Sequence, residues 1–73
     1  MQDRIIIDEG ILAGKPVIRG TRISVELILE LFSSGMGADD IRKEYPQLQR
    51  EDILAALKYA TRTLQRQEIF AAT

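Results

Sequence analysis

Between Gly10 and Val25 the chain carries no acid, and the stretch GKPVIRGTRISV sets Lys15, Arg19 and Arg22 close together within it. Cations at this density suit phosphate binding, either in a nucleotide loop or on a nucleic-acid backbone. The nucleotide loop fails on spacing. Such a loop needs a longer gap between its glycines, and Ser or Thr after the Lys to hold magnesium. Here only three residues separate Gly10 from Gly14, and Pro16 follows Lys15.

Other chemistry finds little support. The chain has no His and no Cys, so it lacks the usual general base near neutral pH, the commonest metal ligand and any disulfide. Asp39 and Asp40 are neighbours that point apart on a helix, a poor metal pair, and Ser33 and Ser34 have no base to activate them. The reading is a non-enzyme without cofactor or metal. Tyr45 and Tyr59 are expected in the core or at its rim.

A β arm and three helices must position the basic residues. In RIIID, the β-branched Ile5, Ile6 and Ile7 predict a strand, with Ile5 and Ile7 facing one way and Ile6 the other. A domain of 73 residues hardly covers both faces, so these isoleucines are expected to meet a partner chain or an overlying helix. PVIRGTRI predicts a second extended piece, with Gly20 and Thr21 serving a turn. The arm, residues 5–23, displays Lys15, Arg19 and Arg22. Arg22 is expected mainly to brace the turn by bonding to carboxylates or carbonyls of its own domain.

Ser24 predicts an N-cap, Glu26 suits the first turn, and Leu27, Ile28, Leu31 and Phe32 form an apolar stripe that Gly35 ends. A short helix follows with Asp39 and Asp40 early and Arg42 and Lys43 late, stopped at Tyr45 by Pro46. Leu48, apolar in the turn PQLQ, is expected to point inward. The last helix is predicted from about Arg50 to about Gln67, with Ile53, Leu57, Ala60 and Leu64 buried, Leu54 at the margin, and Lys58, Arg62 and Arg66 on the opposite face.

Two helices joined by so tight a turn resemble a helix-turn-helix, whose second helix reads base edges near its start. Gln47, Gln49 and Arg50 lie there and can donate to bases or phosphates, as can Arg42 and Lys43 just before them. Glu51 and Asp52 would repel phosphate if they faced it, and otherwise complement the helix dipole. The fold class expected is mainly α, a three-helix homeodomain-like helix-turn-helix bundle over residues 24–67, preceded by the short β element. Residues 68–73, EIFAAT, are expected to form a tail whose Ile69 and Phe70 dock on a partner, beside Arg62 and Arg66, or fold back.

The segments GKPVIRGTR, GM, YPQL and DILAALKYA, within Ile11 to Ala60, resemble the small prokaryotic "domain of unknown function 433" family. The resemblance implies a homeodomain-like DNA-binding fold after a short β element. It also implies kinship with antitoxins, since some members resemble the partner of a nuclease-like toxin of the PIN class. Where relatives commonly cap the last two helices with Ser or Thr, this chain has Gly37 and Gln49.

At 8.2 kDa a single core stabilises a domain by only ~3–5 kcal/mol, which favours a homodimer. No membrane span or signal pattern is present, so a cytoplasmic location is expected. With a pI of about 5.3, tight non-specific nucleic-acid binding is disfavoured. The leading expectation is a regulator of double-stranded DNA, including its own promoter. The alternative is a protein-interaction module that never touches DNA.

Overall fold

The computed structural model describes residues 3–71, and side chains over residues 3–66. The chain runs β1 (Ile5–Ile6), a 3-10 turn (Leu12–Gly14), β2 (Val17–Ile18), α1 (Val25–Ser33), α2 (Ala38–Glu44) and α3 (Arg50–Ala71). It is a three-helix helix-turn-helix bundle with a two-stranded antiparallel sheet before it.

Ile5 pairs with Ile18 and Ile6 with Val17, and an isolated bridge joins Val17 to Ser24. Gly20 turns the chain after β2 at φ +80°, where a side chain would be strained. The Thr21 hydroxyl locks that turn: it donates to the Ile18 carbonyl at 2.8 Å and accepts from the Ile23 N–H at 3.0 Å. Gly20 and Thr21 are therefore structural. In the loop before β2, Leu12 and Ala13 have positive φ beside Gly14. Left-handed backbone costs an L-residue ~1–2 kcal/mol, and nothing in their residue types announces it.

Each helix start is held differently. In α1 the Ser24 hydroxyl accepts from the Leu27 N–H at 2.9 Å. In α2 and α3 the acid three residues in reaches back: Asp40 accepts from the Gly37 N–H at 3.1 Å, and Asp52 from the Gln49 N–H at 2.8 Å. Half of a reciprocal capping pattern thus operates without Ser or Thr at the cap. Gly35 ends α1 at φ +103°, with its own N–H bonded to the Phe32 carbonyl and the Met36 N–H to that of Leu31. That double bond is the Schellman closure, and it brings Met36 back against the core.

The core comprises Ile18, Ile23, Val25, Ile28, Ile41, Leu48, Ile53 and Ala56. Leu48 is buried in the turn as expected, and Tyr45 and Tyr59 lie at the rim. Of the expected stripe on α3, Ile53 is buried and Ala60 half-buried, but the two leucines are not. Leu57 is 37% exposed and Leu64 58%, while Ala56 is fully buried. The helix is rolled toward the side where β1 packs on it and where Asp52 is drawn inside by Arg4, so the small Ala56 faces the core in place of Leu57. Leu64 lies on the C-terminal half of that long helix. That helix also continues to Ala71, through residues expected to begin the tail.

Candidate nucleic-acid interface

The start of α3 is built around an ion pair that joins opposite ends of the chain. Arg4, next to β1, places Nη1 2.8 Å from Asp52 Oδ1 and 3.2 Å from Gln49 Oε1. The Asp52 side chain is only 10% exposed, and its second oxygen takes the Gln49 N–H. Asp52 is thus a neutralised, buried strut between strand and helix, and not an acid presented to phosphate. Of the two acids in that first turn, Glu51 alone stays exposed.

Arg19 stands beside Arg4. Its backbone N–H bonds to the Arg4 carbonyl at 2.8 Å, and its Nε donates to the Asp3 carbonyl at 2.7 Å. The guanidinium is held at its Nε edge, and its terminal nitrogens make no further bond among the described residues. Asp3, Arg4, Arg19, Gln47, Gln49 and Asp52 together line a recess of about 270 Å³. Arg19 of the β arm and Gln47 and Gln49 of the helical turn, distant in sequence, therefore converge on one shallow surface. Arg50 is exposed in the adjoining first turn of α3, where the helix dipole favours an anion.

The remaining basic residues are dispersed. Lys15 leaves the arm to pair with Glu26 at the start of α1, Nζ to Oε1 at 2.9 Å. That hydrogen bond, reinforced by the charge of Glu26, holds the amine above the ordinary lysine value. Lys15 does not line the recess, contrary to the expectation of a single basic arm. Arg22 is exposed and makes no hydrogen bond or ion pair among the described residues, so the bracing role expected of it is absent there. Arg42 and Lys43 are exposed in the last turn of α2.

A second, larger groove of about 540 Å³ runs between β1 and α3. Ile5, Ile7, Ala55 and Tyr59 give it apolar walls, and Arg4, Lys58 and Arg62 supply cations against the single acid Asp3. Ile5, Ile7 and Arg62, three residues expected at a partner surface, are brought together here. Ile6 is half-buried and does not line this groove. Arg66 is exposed further along α3, and the side chains of Ile69 and Phe70 lie outside the described residues.

Arg4 and Asp52 escape sequence reading because their partnership spans forty-eight positions. The one local signal is the acid three residues into α3, which reads equally as a dipole complement. Among the described residues no helix is long and apolar enough to cross a membrane, and no cluster of three potential ligands could hold a metal ion.

Comparison with known proteins bears on the fold. A family model described as "protein of unknown function (DUF433)" matches residues 5–60. No curated protein matches the chain. The crystal structure of a DUF433 member protein from Anabaena variabilis is similar at 29% identity and a TM-score of 0.83, covering 99% of this chain and 71% of that one.

Proposed function

The chain belongs to the DUF433 family, and from that premise we propose that it is a DNA-binding transcriptional regulator of the antitoxin type, acting in the cytoplasm without catalysis of its own. One observation carries the reading. Arg19, Gln47 and Gln49 converge with Arg4 at the start of a twenty-two-residue helix, on a helix-turn-helix in which the acid Asp52 at that helix start is paired internally. Amides at the entry of such a helix reach base edges, and arginines beside it hold phosphates. The positive end of the α3 dipole adds to that attraction.

The same surface suits a division of labour. Arg19 and Arg50 are the phosphate contacts, with Arg42 and Lys43 on α2 extending the footprint, and Gln47 and Gln49 face the bases. Arg22 on the arm is exposed and unbonded among the described residues and can join them, whereas Lys15 is turned toward Glu26. A PIN-like toxin is the partner class the antitoxin reading implies.

The test is fluorescence anisotropy on the chain's own upstream DNA with two sets of variants. Arg19→Ala with Gln47→Ala should weaken binding by about tenfold to a hundredfold, as expected for lost phosphate and base contacts. Lys15→Ala should leave it within about twofold, since that side chain does not line the recess. Equal losses from both sets, or none from either, would remove the interface described above.

A further inference from the structure

The edge of β1 away from β2 is open. Alternate residues of an antiparallel ladder turn their N–H and C=O toward the partner strand. The Arg4 carbonyl accepts from Arg19, so Ile6 also bonds toward β2, and Ile5 and Ile7 turn their backbone groups the other way. Ile18, opposite Ile5, confirms the alternation by giving its N–H to Ile23 at 2.9 Å on its far side. Among the described residues nothing pairs with that outer edge. Beside it lies the apolar groove, and Ile7 is 61% exposed there.

We propose that the occupant of this edge and groove is β1 of a second copy of the chain, antiparallel about a two-fold axis through Ile6. The register follows from the sequence. It sets Ile6 opposite Ile6 of the partner subunit, Ile5 opposite Ile7 of the partner subunit, and Arg4 opposite Asp8 of the partner subunit. Every isoleucine then meets an isoleucine. Moving the axis to Ile5 would set the exposed Ile7 against Asp3 instead.

Backbone pairing obeys the same choice, because Ile5 and Ile7 are the residues whose N–H and C=O face outward. In this register they bond to each other, while Ile6, committed to β2, falls at the non-bonded position on the axis. Charge is also complementary. The isoleucines of the incoming strand are flanked by the exposed acids Asp3, Asp8 and Glu9, and the groove that receives it carries Lys58 and Arg62. The contact is isologous, so both edges are closed at once and no edge remains to recruit a third chain.

Sedimentation velocity without DNA, from micromolar to near-millimolar protein, tests this independently of any nucleic-acid binding. The wild-type chain should be a reversible dimer. Ile7→Pro deletes an outward N–H without disturbing β2 and should weaken association by about tenfold to a hundredfold. Should that variant lose its helical circular dichroism, Ile7→Lys replaces it, since the side chain is already exposed. Lys58→Glu with Arg62→Glu should also weaken the dimer, and most at low salt. The proposal is overturned if the wild-type chain stays monomeric throughout. It is equally overturned if the Ile7 variants dimerise as wild type does while Leu64→Glu, on the exposed leucine face of α3, abolishes association.

Discussion

Replacing Asp52 by Ala should remove most of the stability of the domain, although the residue sits at the start of a helix where an acid is ordinarily worth a fraction of a kcal/mol. The magnitude follows from its two bonds. The Gln49 N–H at 2.8 Å is a helix-end bond worth about 1 kcal/mol. The Arg4 contact at 2.8 Å is charge-assisted, but the Arg4 side chain is 38% exposed, so only the low end of the usual range, about 1.5 kcal/mol, applies. The sum is about 2–3 kcal/mol, set against a total of ~3–5 kcal/mol for a domain of this size. At ~4–8 °C per kcal/mol, the thermal midpoint should fall by about 10–20 °C. Asp52→Asn keeps an acceptor for Gln49 and should lose about half as much. Urea denaturation of the two single variants and the Arg4→Ala, Asp52→Ala double variant closes a cycle, with an expected coupling of about 1 kcal/mol. A loss under about 0.5 kcal/mol for Asp52→Ala, or a coupling indistinguishable from zero, would refute the strut.

Gly35→Ala places a side chain at φ +103° and should cost about 1–2 kcal/mol in urea denaturation; an unchanged midpoint would mean that the Schellman closure is not held. Leu64→Gln should lie within about 0.5 kcal/mol of wild type, whereas Ile53→Ala should cost about 2–4 kcal/mol, and equal losses would restore the simple apolar stripe on α3. The Lys15 amine is held above its ordinary value, so its contribution is complete below the unfolded pKa and is lost as pH rises through the folded one. Both partners are exposed, so the midpoint of Glu26→Gln should match wild type at neutral pH. The two should also respond alike to alkali, with at most a small extra loss in wild type, and a large gap would show a stronger pair.

The punctuation of this fold is written locally. Ser24 starts α1, Gly35 ends it, Pro46 ends α2, and an apolar residue inside PQLQ has nowhere to go but the core. Each of these acts through its own backbone or nearest neighbours, so type and position suffice. The long-range choices are less visible. Whether Ala56 or Leu57 faces α1 depends on the roll of α3, and that roll is set by β1 and the Arg4–Asp52 pair from the far end of the chain. The basic arm shows the same limit. Three cations close in sequence diverge in space, because Lys15 is captured by Glu26, Arg19 is steered by the Asp3 carbonyl, and Arg22 stays in solvent. Arg19 finds its companions in the helical turn instead.

Binding of the wild-type chain to its own upstream duplex and to an unrelated duplex, followed by anisotropy across a salt series, tests the DNA-binding reading most directly. Selective binding should weaken with salt at a log–log slope of about −0.9 per phosphate neutralised, or about −3 to −4 if Arg19, Arg50 and the two cations of α2 all engage. No binding to either duplex at low salt, or equal binding to both, would contradict a sequence-reading regulator.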